Sequence, residues 1–309
     1  MRALIVTNMW PSPATPALGS FVRDQVDALR RIGGAGLELQ VFDFPPGGYL
    51  RAARDLRRMP RSQPFDVVHA HFGLTAWPAL AAPARQRAVT LHGTDLRHPR
   101  SRVITRLVLP RIDLVATASA DLARELPPAQ RERAQVLPCG VATDRFRPLD
   151  RAQSRSELGL DPAGRYLLFP ADPARPGKRH DRAQAVARAA NAELLVLRGV
   201  APERVPLWIN AVNGVVLPSE HEGFGLAVLE ALACDVAVVA APTGIHPQAL
   251  DGIDGALCAP YDEEAWAQAL LPHLDARDPR IAGRARAQEF SADAGAVRVL
   301  AAWEAIAGH

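Results

Sequence analysis

The chain has 309 residues, 48% hydrophobic and 22% charged, too long for one ordinary core and suited to two soluble globular domains of about 150 residues each. Cys139, Cys234 and Cys258 lie in separate segments with no C-x-x-C pair, which argues against a disulfide framework or a zinc ribbon, and no apolar run approaches the roughly 18 residues of a membrane span. The net charge of +3 hides an asymmetry: residues 1–150 hold 21 arginines against 13 acidic residues, and the remainder has an acidic excess. Such a first half fits either an anionic partner or solvated arginines on helix faces. No basic, apolar and small-residue leader pattern opens the chain, so a reducing cytoplasm is the expected compartment.

In chain order, "ALIVT" (3–7) reads as a buried strand, followed by the helix "FVRDQVDALRRIG", in which Phe21, Val22, Val26, Leu29 and Ile32 recur at helical spacing. Further strands are expected at 37–44, 66–71, 88–93, 113–119 and 134–140, with a basic helical segment at 49–61. A polar, proline-containing stretch at 147–164 reads as a join. The pattern then repeats with strands at 166–171, 193–199, 214–219, 236–242 and 255–260, helices between them, and a closing helix at 291–308. Near-continuous Val, Leu and Ile strands alternating with helices mark parallel sheets covered on both faces. The expected fold class is α/β, with two Rossmann-like doubly wound domains over 1–150 and 151–290 and a C-terminal helix, 291–309, returning to the first domain. Ligands bind beyond the carboxyl ends of such strands, so two facing sheets would enclose a cleft.

The stretch "RPGKRHD" (175–181) holds the only lysine of a chain whose other 35 cationic positions are all arginine. An ammonium is a compact point charge and a guanidinium a planar fork, so a retained lysine suggests chemistry that arginine does not serve. Lys178 follows the strand at 166–171 and precedes a helix, with Arg175 three residues earlier. Cations beside a helix N-terminus make an anion site suited to phosphate. In "SEHEGFGLAVLEALACDVAVVAAP" (219–242), Glu222 and Glu230 stand eight apart around Gly223, Phe224 and Gly225. The glycines let backbone approach a ligand, and the helix starting near Leu226 aims its N–H groups there. Every residue from Leu226 to Cys234 except Glu230 is apolar, so Glu230 is expected as a buried carboxylate for which sugar hydroxyls would be donors.

These motifs, with "VLPCGVATDRFRP" (136–148), "HGTDL" (92–96) and the opening "VTNMWPSPATPALGSFVRDQVDAL", resemble the retaining GT-B glycosyltransferases of family 4, over nearly the whole chain and in the family's order. The resemblance implies two domains facing across a cleft and a nucleotide-diphosphate sugar, UDP- or GDP-linked, as co-substrate, with no other cofactor. It implies that Glu230 accepts from ribose hydroxyls, and that Glu222 with the backbone of Gly223, Phe224, Gly225 and Leu226 holds the sugar and its phosphates. Lys178 and Arg175 would neutralise the departing diphosphate, Gly19 would lie under the phosphates from the first domain, and His92 would approach the donor sugar or the acceptor. The acceptor would be a glycan, a lipid-linked or a small molecule.

The chain departs from the family pattern at three places. Asp235, Val236 and Ala237 stand where glycine, any residue and proline are common, Gln248 where glutamate is favoured, and Pro173 where an arginine usually precedes the lysine by five residues. No D-x-D triplet occurs, so metal independence is expected, with lysine, arginine and helix dipole in the metal's place. His69 and His71 of "HAH" share a strand face but lack a third ligand, which favours a cleft-lining or structural role. The 49–61 segment, with five arginines beside Leu50, Leu56 and Met59, reads as a basic amphipathic helix able to touch an anionic membrane, against the commoner solvated face. The competing functions are a nucleotide-sugar 2-epimerase or hydrolase of the same fold and a non-catalytic nucleotide-sugar-binding protein. A nucleic-acid partner is not expected, for want of an aromatic stacking series.

Overall fold

In the computed structural model, which describes residues 1–308 apart from Ala14, the apolar runs become parallel strands in two units, Met1–Gly140 with Ala292–His309 and Val141–Ser291. The first unit runs β1 (Arg2–Thr7), α1 (Ser20–Gly33), β2 (Glu38–Asp43), α2 (Tyr49–Arg57), β3 (Phe65–His71), α3 (Gly73–Ala79), β4 (Ala84–Leu91), α4 (Thr94–Arg97) and α5 (Pro99–Val108). It continues through β5 (Leu114–Thr117), α6 (Ala120–Arg124), α7 (Pro128–Arg131) and β6 (Gln135–Val136). Among the described residues its sheet has the order β2-β1-β3-β4-β5-β6, parallel throughout. The strand expected at 134–140 shortens to two residues because it is an edge and Pro138 has no N–H for the ladder.

The second unit holds α8 (Arg151–Leu158), β7 (Tyr166–Phe169), α9 (His180–Ala189), β8 (Glu193–Val196), α10 (Val205–Ala211), β9 (Gly214–Leu217) and α11 (Leu226–Ala233). It ends with β10 (Ala237–Ala240), α12 (His246–Leu250), β11 (Leu257–Cys258), α13 (Glu263–Asp275) and α14 (Arg284–Glu289), in a parallel sheet ordered β11-β10-β9-β7-β8. The chain leaves the first unit after Gly140, ahead of the polar 147–164 stretch. Val141 already pairs with Ser291, and the carbonyls of Thr143 and Phe146 accept from the Arg284 guanidinium. No helix of the described residues is long and apolar enough to cross a membrane.

The last helix, α15 (Ala292–Ala307), belongs to the first unit, where Ala296, Val299 and Trp303 pack with Val22, Val26 and Leu29 of α1 in one core. Trp303 lies fully buried, and its Nε1–H donates to His69 Nδ1 at 3.0 Å. Since an indole nitrogen only donates, His69 Nδ1 is the bare nitrogen and its Nε2–H points at Thr90 Oγ1, 2.8 Å away. A residue distant in sequence thus assigns the tautomer of a buried histidine.

In the second unit, Asp235, Val236 and Ala237 form the turn after α11 where the family pattern has glycine, any residue and proline, and two arginines brace it. Asp235 has φ 55°, the left-handed conformation for which glycine is usual and which aspartate tolerates better than most residues. Its Oδ1 accepts from the N–H groups of Gly283 and Arg284 at 3.1 and 2.8 Å. The Arg284 and Arg280 guanidinium groups donate to the carbonyls of Ala233 and Cys234, a favourable place for cations because a helix C-terminus is its negative end.

Two outcomes are expected from this packing. Trp303→Phe, which keeps an aromatic ring but is smaller and strips the donor from His69, should lower the urea-unfolding free energy by at least about 1–3 kcal/mol, while Thr90 and the sheet remain. Asp235→Ala should cost more than Asp235→Gly in the same measurement, because glycine keeps the left-handed backbone and alanine strains it by about 1 kcal/mol, both losing the carboxylate.

Candidate active site

In the second unit β7 connects towards β8 on one side and β9 continues the sheet on the other, so the loops leaving the carboxyl ends of β7 and β9 diverge and open a crevice. The sequence-identified cations and carboxylates fall on these two loops. After β7 the chain makes a tight 3₁₀ turn, Pro176–Lys178, whose Gly177 carbonyl accepts from Glu220 N at 3.0 Å and so ties it to the loop after β9. Across that tie Lys178 Nζ meets Glu222 Oε1 at 2.6 Å, with side chains 19% and 9% exposed. Burial would push the Glu222 carboxyl up. The Lys178 charge, its hydrogen bond and one from Ser219 outweigh it and hold Glu222 below its ordinary 4.5.

The neighbouring cations divide differently from the sequence expectation. Arg175 is exposed and stands at the entry to the turn, its carbonyl accepting from Lys178 N. The fixed guanidinium is that of Arg179, which caps α9 with φ 54° and grips Asp181 bidentately at 2.9 and 2.6 Å and Glu220 at 2.6 Å. Arg182, one turn on, reaches Glu220 at 3.7 Å. Arg179 and Arg182 escaped the sequence reading because an arginine-rich chain offers no composition signal at an arginine.

The glycine loop is held from behind by a segment that the motif did not include. Gly225 has φ 97°, and a Cβ there would come within 2.7 Å of His246 Nε2. Gly244, with φ 58°, packs so tightly that a Cβ would lie 2.3 Å from the Phe224 carbonyl oxygen and 2.9 Å from Glu222 Cβ. Ile245 N donates to that same carbonyl at 2.8 Å. The Phe224 side chain is buried, so only its backbone faces outward chemistry. His246 is fully buried, bonds Ala241 O through Nδ1 at 2.8 Å, and therefore presents Nε2 as its bare nitrogen, with its protonation lowered by burial.

Glu230 is not enclosed as expected. Val228, Leu229, Ala231, Leu232 and Ala233 are buried, but Leu226, Ala227 and Glu230, spaced along one side of α11, are only half-buried together with Gly223 and Gly225. An all-apolar sequence hid this open stripe, because alanine and leucine at a helix N-terminus can face a crevice as readily as a core. The glycine backbone and Glu230 thus share one open side of the loop and first turns of α11, with the buried Glu222 carboxylate held by Lys178 where that loop begins.

The first unit has its own polar cluster at the carboxyl ends of β3 and β4. His69, His71 and His92 stack in file, with ring centroids 5.1 and 5.3 Å apart, and His71 Nδ1 lies 3.1 Å from His92 Nε2. Burial depresses all three, His71 to about 4, so they are neutral near pH 7. His92 is the half-buried end of the file, packed between Phe21 and Phe72 and 3.7 Å from Cys139 Sγ, a thiol that burial pushes up to about 12. Its backbone N–H and that of Gly73 donate to the Asp95 carboxylate, which burial raises to about 6. Phe72 holds φ 78° at the end of β3, a strained conformation for a bulky residue. Gly19 precedes α1 with φ 69°, and a Cβ there would overlap the Met9 carbonyl at 2.1 Å, so this position admits no side chain.

The "Glycosyltransferase Family 4" profile matches residues 13–145, and the "Glycosyl transferases group 1" profile matches residues 174–275. D-inositol 3-phosphate glycosyltransferase from Frankia alni is 29% identical, the match covering 86% of this chain and 78% of the relative. The enzyme of the same name from Mycobacterium avium is 30% identical over 81% of this chain and 71% of the relative. Among solved structures, HepE from Anabaena in complex with UDP and glucose superposes with a TM-score of 0.73 at 17% identity, covering 99% of this chain and 100% of the other, a likeness of fold. The chain belongs to the group 1, family 4 glycosyltransferases, with the two parallel-sheet α/β units of the GT-B fold.

Proposed function

We propose that this glycosyltransferase moves a sugar from a nucleotide-diphosphate sugar to an acceptor hydroxyl with retention of anomeric configuration and without a metal ion. The observation that carries the reading is the Lys178–Glu222 pair at 2.6 Å, set at the divergence of β7 and β9 beside an open glycine loop. A carboxylate holding an ammonium in this way keeps both groups charged and positioned before any ligand arrives. An incoming diphosphate competes for Lys178 and frees Glu222 to accept from the hydroxyls of the donor sugar. Glu230, one turn along α11, accepts from the ribose, and the first N–H groups of α11 face the phosphates.

As the bond to the anomeric carbon breaks, negative charge grows on the departing phosphate oxygen. Lys178, Arg175 and the helix N-terminus oppose that charge where a metal would otherwise be needed. The same oxygen takes the proton of the acceptor hydroxyl, so the acceptor enters from the face the leaving group vacates. Gly19 allows close backbone approach in the first unit, and His92, neutral and half-buried, offers a hydrogen bond to donor sugar or acceptor. The HepE complex with UDP and glucose supports a UDP-linked donor, with GDP the alternative, and the relatives' D-inositol 3-phosphate supports an acceptor bearing an anionic group. A cytoplasmic location goes with a nucleotide-sugar donor. Two of the departures from the family pattern lie outside this arrangement: Asp235 replaces glycine structurally, and Gln248 is exposed with its carbonyl bound by Arg286, while Pro173 leaves the second cation to Arg175.

In a thermal-shift series with UDP, GDP, ADP, CMP and dTDP, one nucleotide at 100 times its Kd should stabilise the wild type by about 2.7 kcal/mol, and Glu230→Ala should lose most of that gain. Absence of any shift in the wild type would count against the donor reading. A second outcome concerns charge. Glu222 sits below its ordinary 4.5, so its contribution to wild-type stability is present above about pH 4.5 and lost as pH falls through the folded value. In Lys178→Met, burial is left as the largest influence and raises the Glu222 pKa, so stability should instead fall as pH climbs from about 4.5 towards neutrality. Urea unfolding across that range checks the sign, and parallel slopes would show that the pair is not coupled.

A further inference from the structure

Five of the eight exposed large hydrophobic side chains recorded for the described residues lie on three adjacent helices of the first unit: Leu50 on α2, Trp77 on α3, and Val103, Ile104 and Leu107 on α5. The inner face of α5 is spent on Thr105 and Val108, which are buried. Its outer face is a ridge of Val103, Ile104 and Leu107, 58%, 42% and 59% exposed, begun by Arg100 and flanked by Arg102 and Arg106, with no acidic residue in the helix. The basic 49–61 segment, by contrast, turns its apolar side inward. Ala52 and Leu56 are buried, so of its expected apolar face Leu50, 89% exposed, is the residue that stands fully outward. Of the two readings of this segment, its burial pattern fits a helix that packs its apolar side on the unit and turns its arginines to solvent, Leu50 apart.

Hollows open on both sides of the α5 ridge, each lined by guanidinium groups. One, of about 450 Å³, is bounded by Arg57, Arg61, Arg87, Trp77 and Leu80. Trp77 ties it to the ridge by donating through Nε1 to the Ile104 carbonyl at 3.0 Å. Arg87 Nε in this hollow is buried with no hydrogen-bond partner among the described residues. The other, of about 490 Å³, is bounded by Arg102 and Arg106 of α5 with Arg124, Arg131 and Leu96. Glu125, also at its wall, is tied up by Arg97 at 2.9 Å.

We infer that the α2–α3–α5 face of the first unit docks on an anionic lipid bilayer, the α5 ridge entering the acyl boundary and the two arginine-lined hollows receiving phosphate head groups. An apolar ridge set between cationic hollows matches a surface that is negative at its rim and apolar beneath it. Leu50, on the second residue of α2, stands on the side of the sheet's carboxyl ends, so this end of the docked face lies towards His71 and His92, where His92 is proposed to meet donor sugar or acceptor. The inference deepens the proposed function by placing the acceptor at a lipid surface, but it does not depend on nucleotide binding.

The test is co-sedimentation of the full chain with vesicles of phosphatidylcholine alone or mixed with phosphatidylglycerol, with the nucleotide thermal shift run on the same samples. Wild type should pellet with the anionic vesicles only. Val103→Ser/Ile104→Ser/Leu107→Ser should weaken that binding at least about tenfold, from the apolar area lost. Arg102→Glu/Arg106→Glu should weaken it by about fivefold or more per arginine. Both variants should keep the wild-type unfolding midpoint and nucleotide shift. Wild type left in the supernatant, or variants that pellet undiminished, would overturn the inference. So would a wild-type dimer by light scattering that the triple variant makes monomeric with no vesicle binding in either, since the ridge would then cover a second copy. Full release by millimolar inorganic phosphate would assign the hollows to a free anion and overturn it as well. A missing nucleotide shift with intact vesicle binding would sink the donor reading and leave this one standing.

Discussion

A parallel strand cannot turn back on itself, so each connection must cross one face of the sheet, and where two neighbouring strands send their connections apart a crevice is left at their carboxyl ends. In the second unit that point lies between β7 and β9, and the loops leaving those strands carry Lys178 and Glu222. The rest of the site follows from this constraint. The Gly177 carbonyl bonded to Glu220 N sets the spacing of the two loops, and the ion pair then has room for one compact ammonium between backbone and carboxylate. In the first unit the divergence lies between β1 and β3, which brings the glycine turn before α1 and the strained Phe72 to the same edge as His71 and His92.

The lysine that stands out in the composition acquires a physical reason from this geometry. Its partner is nearly buried, so the cation must enter a narrow space and meet a single carboxylate oxygen. The bidentate role that suits a guanidinium falls instead to Arg179, which faces Asp181 and Glu220 at a more open position. Two adjacent cations thus do different work according to how much room surrounds them. The same division recurs at the base of the unit, where Arg155, Arg280 and Arg284 donate mainly to backbone carbonyls and bind the chain's entry and exit segments to the ends of α10 and α11.

Most arginines of the first half keep their side chains at the surface, whether or not they pair with an acidic neighbour. Much of that basic surface is gathered beside α5 and around two hollows. A charge asymmetry visible in composition therefore becomes a surface only through helix packing, which decides which face of α2 and which face of α5 is left exposed.

What the sequence determined by itself was whatever depends on local pattern: strands of continuous Val, Leu and Ile, helices at 3.6-residue spacing, the glycine loop at Gly223 and Gly225 that lets backbone approach a ligand, and the Lys178 and Glu222 motifs on loops after strands. Each of these is dictated by steric or burial demands acting over a few residues. Tertiary structure decided the rest. Trp303 sets the His69 tautomer across 234 residues of chain, Gly244 and His246 brace the glycine loop from behind, and Asp235 substitutes for glycine because Gly283 and Arg284 donate to its carboxylate. The half-burial of Glu230 belongs here too, since a helix that reads as apolar all round keeps Leu226, Ala227 and Glu230 only half-buried on one side. These features depend on which surfaces meet, and residue type at one position carries no record of what will be packed against it.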